Sequence, residues 1–260
     1  MTTRILNGLA VEIDGDGDAL LCIHGLGGSS NVWTPLLPAM AGFKVVRPDL
    51  PGSARSALLS EPLSIAGYVQ ALIGLMDALD IAAAHVAAHS LGTVVAQHLA
   101  VEHPSRVNSL ALFGPLVAPP DAARPGTLAR AQLARTGSPA MQEIANAIVQ
   151  AATSKETKSQ QPAVLAFIRE IVMRQPSEGY AQSCEALAAA QSAAIEQIRL
   201  PTLLVTGDQD GVAPAANVAA MAARIKGSEQ IVLDGCGHWT PFERPQQCVE
   251  QLQRFYAGIG

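Results

Sequence analysis

The sequence has few cysteines, little charge imbalance and no basic run, and each shortage excludes a class of protein. Its four cysteines, Cys22, Cys184, Cys236 and Cys248, are far apart and form no C-x-x-C pair, so neither a zinc site nor a redox pair is predicted. The formal net charge is -5 over 260 residues, and without a run of lysine or arginine we predict no nucleic-acid partner. We expect buried, unreactive thiols and no metal site.

Targeting and membrane-spanning segments are not predicted either. Residues 1–18 have no apolar core and no small-residue cleavage site, and they carry charge early, so we expect a cytoplasmic protein. Residues 81–101 contain no Asp, Glu, Lys or Arg and are long enough to cross a bilayer. Their three histidines, Gln97 and a central Ser-Leu-Gly break instead indicate a buried strand that leads into a buried helix.

The sequence does contain a regular alternation of short apolar runs and helix-like stretches. With 49% hydrophobic residues, the chain can bury a substantial core as one main domain. The alternation favours an α/β fold, with a mostly parallel central sheet and helices on both faces. Strands are predicted at residues 19–24, 43–49, 84–90, 107–114, 200–208 and 229–235, with an antiparallel edge strand at 3–13, and helices at 31–40, 64–79, 91–103, 215–226 and 243–257.

Residues 115–198 interrupt this alternation with alanine-rich helical sequence. Prolines punctuate the segment at positions 119, 120, 125, 139, 162 and 176. The proline-rich stretch 115–125 is the clearest boundary in the chain. We therefore predict a helical cap at 115–198, inserted into a core domain made of residues 1–114 and 199–260.

The stretch VAAHSLGT at 86–93 places Ser90 between a predicted buried strand and a predicted helix. A serine at such a sharp turn is held out at the carboxyl edge of the sheet, and small residues two before and two after it let strand and helix approach. Ala88 and Gly92 fill these positions, as an A-x-S-x-G variant of G-x-S-x-G. The motif alone leaves a second interpretation open, in which the serine only caps the helix.

A serine nucleophile needs a base to remove its proton and a carboxylate to fix the tautomer of that base. Asp208 and Asp210 both lie in the turn after the apolar run LPTLLVTG, and His238 lies in the loop after EQIVLD. These loops follow predicted strands, so their side chains are expected at the carboxyl edge of the sheet, near Ser90. A packing or supporting role is predicted for His89, which adjoins the serine, and His85, His98 and His103 are predicted to be core or surface imidazoles.

The glycine-rich stretch IHGLGGSSNVW at 23–33 is a candidate oxyanion hole. Backbone N–H groups in such a loop can approach a substrate closely and stabilise negative charge on a carbonyl oxygen. We expect Leu26 and Leu91 to supply the two donors. The stretch lacks the lysine and the spacing of a Walker loop and is no G-x-G-x-x-G, which disfavours nucleotide binding.

Five segments in order, HGLG, PDLPGSARS, AHSLG, GDQDGVAP and GHWTPFERP, resemble the α/β-hydrolase superfamily across nearly the whole chain. The resemblance implies that Ser90 is the nucleophile, His238 the general base and Asp210 the acid, with Asp208 as the alternative acid. The chain departs from the family at 52–56, where Gly-Ser-Ala-Arg-Ser replaces the frequent G-H-G-x-S. This turn is structural in most members, so the departure leaves the implied triad unchanged.

Within the superfamily, the end of the cap and the strand after it resemble 3-oxoadipate enol-lactonases and small bacterial esterases. This resemblance implies a serine hydrolase that cleaves a small carboxylic ester or lactone without a metal or organic cofactor. Gly25 and Trp239 are candidate residues of the substrate pocket. Two alternatives stay open. The segment CGHWTPFE is similar to hydrolases that cleave carbon–carbon bonds in aromatic ring-fission products, and some proteins of this fold act as receptors.

Overall fold

A computed structural model describes residues 2–259, which form one eight-stranded sheet with helices around it. The strands are β1 (Thr2–Leu6), β2 (Leu9–Asp14), β3 (Asp18–Ile23), β4 (Phe43–Pro48), β5 (Ala84–His89), β6 (Val107–Phe113), β7 (Thr202–Gly207) and β8 (Glu229–Leu233). Their order across the sheet is β1-β2-β4-β3-β5-β6-β7-β8. The pairs from β4 to β8 are parallel, and only β1–β2 and β2–β4 are antiparallel. The predicted mostly parallel sheet is confirmed.

Helices cover both faces of the sheet, as predicted. They are α1 (Ile65–Ala78), α2 (Leu91–Glu102), α3 (Arg124–Ala134), α4 (Ser138–Ala152), α5 (Lys155–Gln160), α6 (Pro162–Met173), α7 (Ser177–Ala189), α8 (Ala215–Arg224), α9 (Thr240–Glu243) and α10 (Pro245–Ala257). Side chains of α1, α2 and α8 belong to one buried cluster, and those of α9 and α10 belong to another. Within residues 2–259, every helix is too short or too polar to span a bilayer.

The amino-terminal edge differs from the prediction of one strand at 3–13. Asn7 and Gly8 both have positive φ, 50° and 80°, and form the two-residue turn of a hairpin between β1 and β2. Asn-Gly is the preferred sequence for such a turn, because both residues tolerate the left-handed conformation. The predicted antiparallel edge is therefore present, but it consists of two strands.

Proline accounts for two further differences from the predicted elements. The helix predicted at 31–40 is a 3-10 helix, Ser30–Met40, with Pro35 and Pro38 inside it. The helix predicted at 243–257 is divided into α9 and α10, and Pro245 is the first residue of α10. Proline has no N–H and clashes with the preceding turn, so it is tolerated at a helix start but disrupts a helix interior.

Residues 115–198, which we call the cap segment, lie between β6 and β7 and hold α3 to α7. Three prolines of this segment, Pro125, Pro139 and Pro162, stand in the first turns of α3, α4 and α6. These three prolines, which appear in the sequence as interruptions of helical stretches, thus mark the starts of helices. Gln175 joins the segment to the glycine-rich loop, because its Nε2 donates to the carbonyl oxygens of Gly27 and Gly28 at 3.3 and 3.0 Å.

Candidate active site

Ser90 lies at the sharp turn between β5 and α2, with φ 52° and ψ -121°. A non-glycine residue rarely adopts positive φ, and such strain is concentrated at functional sites. Gly92 permits the turn, since a Cβ there would lie 2.6 Å from the carbonyl oxygens of Ile23 and His24. The Ser90 side chain makes no cap hydrogen bond to α2, so the interpretation of Ser90 as a simple helix cap finds no support in its contacts.

Ser90, His238 and Asp210 form one chain of hydrogen bonds. The distance from His238 Nε2 to Ser90 Oγ is 2.8 Å, and that from His238 Nδ1 to Asp210 Oδ2 is also 2.8 Å. An ionised carboxylate can only accept, so Nδ1 carries the proton and Nε2 is left to accept from the serine hydroxyl. The three side chains are at most 8% exposed. This arrangement can transfer a proton from Ser90 to His238.

Asp210 is held in its ionised form by its surroundings. Burial alone raises the pKa of Asp210, but nearby His238 and backbone N–H groups outweigh that effect, and the pKa falls to about 2. The N–H groups of Val212 and Ala213 each donate to Asp210 Oδ1 at 2.8 Å. The carboxylate is therefore charged over the whole range in which an enzyme normally works.

Asp208, the alternative acid, has a different contact. Its Oδ1 accepts the backbone N–H of Cys236 at 2.9 Å. This bond connects the turn after β7 to the loop that carries His238. The structure thus brings Asp210, and not Asp208, to the histidine ring.

The glycine-rich loop passes directly over Ser90. A Cβ on Gly25 would lie 2.7 Å from the Cβ of Ser90, so only glycine fits there. Within residues 2–259, the N–H groups of Leu26 and Leu91 have no hydrogen-bond acceptor. Leu26 lines the cavity beside Ser90, and Leu91 is the first residue of α2. Both predicted donors are thus next to the serine and are not engaged elsewhere in the fold.

His24 fixes the start of this loop. The N–H of Leu50 donates to His24 Nε2 at 2.8 Å, so the proton of the neutral ring is on Nδ1, which donates to the Gly25 carbonyl at 2.8 Å. Burial lowers the pKa of His24, which keeps the ring neutral. The Gly25 carbonyl also accepts the N–H of Gly28 at 3.0 Å. These bonds hold the peptide immediately before Leu26.

His89 contacts the loop after β8 that carries His238. Its Nε2 donates to the backbone carbonyl of His238 at 2.9 Å, and its ring lies 5.1 Å from that of His238 and 5.4 Å from that of Trp239. Burial lowers the pKa of His89 to about 3, and the nearby His238 ring contributes in the same direction. His89 therefore stays neutral and bonds to the backbone of the loop that carries His238. The Ser90 hydroxyl is bonded to His238 and not to His89.

Two residues of the site carry no signal in the sequence analysis, Gly114 and Glu243. A Cβ on Gly114 would lie 2.8 Å from Cε1 of His238, so the histidine ring packs on this glycine just after β6. Glu243 is 1% exposed, and its carboxylate accepts the N–H groups of Ser154, Gly237 and Trp239 at 2.7 to 3.0 Å. His238 N–H in turn donates to the carbonyl of Ala152 at 2.9 Å. Glu243 and His238 thus join the loop that carries His238 to the end of α4.

A cavity of about 420 Å³ opens over Ser90 and His238. Core residues Leu26 and Trp239 form part of its wall, and the cap segment supplies Leu116, Ile148 and Leu187 among others. Trp239 was a candidate pocket residue, and it lines this cavity. Gly25, the other candidate, lies beside Ser90 and is not among the lining residues of the described chain. Most of the wall is apolar, which suits a small organic substrate.

The side chains of the cysteines and of His85 and His98 take no part in the hydrogen-bond chain from Ser90 to Asp210. All four cysteines are buried and free. His85 bonds to Ser109 and His98 bonds to Glu102, both at 2.8 Å. In residues 2–259, no group of three or more His, Cys, Asp or Glu side chains could hold a metal ion.

Comparison with known proteins finds hydrolases that share the fold of this chain. The chain is similar to a solved esterase from Thermogutta terrifontis, with 23% identity, 99% of this chain and 98% of that one covered, and a TM-score of 0.91. It is similar to the enol-lactonase from Burkholderia xenovorans, with 26% identity, 98% and 100% coverage, and a TM-score of 0.89. The pyrrolizixenacetamide deacetylase of Xenorhabdus hominickii is 26% identical over 249 residues, 94% of this chain and 92% of that relative.

A family model described as the alpha/beta hydrolase fold matches residues 18–245, well over half of the chain. The match spans Ser90, Asp210 and His238. The sheet order, the turn at Ser90 and the helices on both faces are those of this fold. The chain therefore belongs to the alpha/beta hydrolase fold family, and it is a hydrolase of the esterase and lactonase type.

Proposed function

We propose that this hydrolase cleaves a small carboxylic ester or lactone in two steps, through an acyl-enzyme on Ser90. The observation that carries the proposal is the unbroken hydrogen-bond chain from Ser90 through His238 to Asp210, at the base of a mostly apolar cavity. Such a chain activates a hydroxyl whose own pKa is far above neutrality. A cavity with this wall admits the apolar parts of a small ester.

In the first step, His238 Nε2 takes the proton of Ser90 as Oγ attacks the substrate carbonyl carbon. The carbonyl oxygen becomes an oxyanion, which accepts the N–H groups of Leu26 and Leu91. The bond to the leaving oxygen then breaks, and His238 protonates that oxygen. For a lactone the leaving oxygen remains attached to the acyl group, so ring opening releases nothing at this stage.

In the second step, His238 removes a proton from a water molecule that attacks the acyl-enzyme. The second oxyanion collapses, the bond to Ser90 Oγ breaks, and the proton on His238 returns to the serine. Asp210 stays ionised throughout and stabilises the charged ring while His238 holds a proton. The products of an ester are an acid and an alcohol, and those of a lactone are one hydroxy acid or its keto form.

The test is a turnover screen across short 4-nitrophenyl esters, enol-lactones and dienoates of the ring-fission type. We expect sustained, many-turnover hydrolysis of at least one ester or lactone, with a burst of 4-nitrophenol when deacylation is slow. Acylation that stops after one equivalent would contradict the proposal and favour a receptor. Turnover of the dienoates alone would contradict it in favour of carbon–carbon bond cleavage.

We propose further that residues 115–198 act as a cap domain on a core of residues 1–114 and 199–260. The cavity wall supports this division, since one side comes from the core and the other from the cap segment. A cap of this kind excludes water from the acyl transfer and contacts the part of the substrate remote from the carbonyl.

Shortening a cap residue in the cavity wall should change the preferred chain length. We expect Ile148→Ala to raise the ratio of kcat/KM for hexanoyl over acetyl esters by about tenfold, since one or two methylenes of pocket space have effects of this size. Val249→Ala on α10 is the matched control, because Val249 packs in the core away from the cavity. A ratio that moves with Val249→Ala and stays fixed with Ile148→Ala would exclude the cap role.

A further inference from the structure

One charged side chain lines the cavity in the described residues, Arg130 of α3. Among the described residues the same wall contains no Asp or Glu, and its other side chains with polar atoms are Ser90, Thr127, His238 and Trp239. Ser90 and His238 are already bonded to each other. Arg130 is therefore the only permanent charge that faces the space where the substrate would bind, as far as residues 2–259 extend.

Arg130 differs from the other cap arginines in its partners. Its guanidinium approaches the buried hydroxyl of Tyr180 without meeting hydrogen-bond geometry, and within residues 2–259 it forms no ion pair. The others each have a partner on the cap segment itself: Arg124 bonds to Asp121, Arg135 to Glu178 and Glu185, Arg169 to Asn146, and Arg174 to Glu170.

A partly buried guanidinium in an apolar wall loses hydration, and within residues 2–259 no carboxylate replaces it. A bound anion would restore that stabilisation. The planar N–H fork of arginine matches the two oxygens of a carboxylate, and such charge-assisted pairs are among the strongest hydrogen bonds in proteins. Arg130 lines the cavity from the cap segment and Ser90 lines it from the core, so a substrate that fills the cavity can contact both.

We infer that Arg130 binds a carboxylate of the substrate, so the ester or lactone that this enzyme cleaves carries a free carboxylate remote from its reacting carbonyl. This inference rests on the proposed function and names the substrate class for the same site. It also assigns a direction to the bound substrate, with the reacting carbonyl at Ser90 and the carboxylate at α3.

The kinetic test uses substrates in matched pairs that differ only in the charge of one group. One pair is mono-4-nitrophenyl adipate and its methyl ester, with the carboxylate on the acyl side. The other is 4-acetoxybenzoate and its methyl ester, with the carboxylate on the leaving side. Spontaneous hydrolysis is subtracted with the Ser90→Ala protein.

We expect the native enzyme to prefer the charged member of at least one pair. In Arg130→Gln that preference, taken as the ratio of kcat/KM within the pair, should fall by about 10- to 100-fold, the size expected for one charge-assisted pair. Arg130→Lys keeps the positive charge but loses the planar N–H fork, so it should retain part of the preference for the charged substrate. Arg169→Gln is the matched control, because Arg169 bonds to Asn146 outside the cavity, and it should leave the ratio unchanged.

A binding measurement separates this inference from the proposed function. Calorimetry with Ser90→Ala compares monomethyl adipate with dimethyl adipate, and repeats both with Arg130→Gln added. Carboxylate-dependent binding that disappears with Arg130→Gln supports the site even if no ester is turned over. If neither kinetics nor binding shows a carboxylate preference that depends on Arg130, the inference is overturned, while hydrolysis of the neutral esters would leave the proposed function standing.

Discussion

Ser90→Ala is expected to lower kcat for the best ester substrate by about a million-fold, the scale reached when the nucleophile of a serine triad is removed. The substitution deletes one oxygen whose hydrogen-bond partner in the fold is His238. The Ser90 side chain makes no cap bond to α2, and alanine keeps the single Cβ of serine, so the substitution adds no steric strain at this positive φ. The loss should therefore appear in kcat, measured by steady-state kinetics, with the circular dichroism spectrum and Tm nearly unchanged.

Ser60→Ala is a suitable control for this experiment, because Ser60 is exposed on the surface and lies outside the cavity wall. It should hydrolyse the same ester at the native rate. If Ser90→Ala keeps activity within tenfold of the native enzyme, Ser90 is not the nucleophile and the two-step scheme does not hold.

The second large effect is expected from Asp210→Asn, a loss of about ten thousand-fold in kcat. The change preserves the size of the side chain but removes the negative charge of the carboxylate, whose Oδ2 accepts from His238 Nδ1 at 2.8 Å. The Asn amide can present its NH₂ to the ring, which then favours the tautomer with its proton on Nε2, where it cannot accept from Ser90. The pKa of Asp210 is about 2, so the native carboxylate is ionised at every pH used in the assay.

Asp208→Asn is the matched control for Asp210→Asn. An Asn oxygen at position 208 can still accept the Cys236 N–H, so we expect kcat within about tenfold of the native value. The reverse outcome, with thousands-fold loss from Asp208→Asn and near-normal turnover from Asp210→Asn, would show that Asp208, and not Asp210, is the acid of the triad.

Much of the fold can be predicted from the sequence, because apolar runs and the breaks between them indicate each strand and helix locally. The strand before Ser90 and the helix after it were predicted within one residue of the observed Ala84–His89 and Leu91–Glu102. The predicted bounds of strands and helices are wrong where a short break divides a longer stretch. Asn7-Gly8 divides the amino-terminal edge, and Pro245 divides the last helical region, and both signals act over two or three residues inside longer periodic stretches.

The candidate site was predictable where a motif ties chemistry to a strand end, as for Ser90, Asp210 and His238. It was not predictable where a contact joins distant segments. Glu243 bonds to Ser154, which is 89 residues away along the chain, and no local pattern links the two. Arg130 is one of several arginines in the cap segment, and which of them has a carboxylate partner depends on how the cap helices pack.

The bonds made by Glu243 have a consequence for how substrate reaches Ser90. Lifting the end of α4 from the core would break two hydrogen bonds, from the Ser154 N–H to the buried Glu243 carboxylate and from the His238 N–H to the Ala152 carbonyl, so we expect this end of α4 to stay in place during turnover. The lining residues that are also exposed lie on α4 as well as elsewhere around the cavity: Pro120, Ala123, Gly126, Ala147, Ala151, Gly211 and Val212. We therefore expect substrate and product to pass between these exposed residues without a movement of the end of α4.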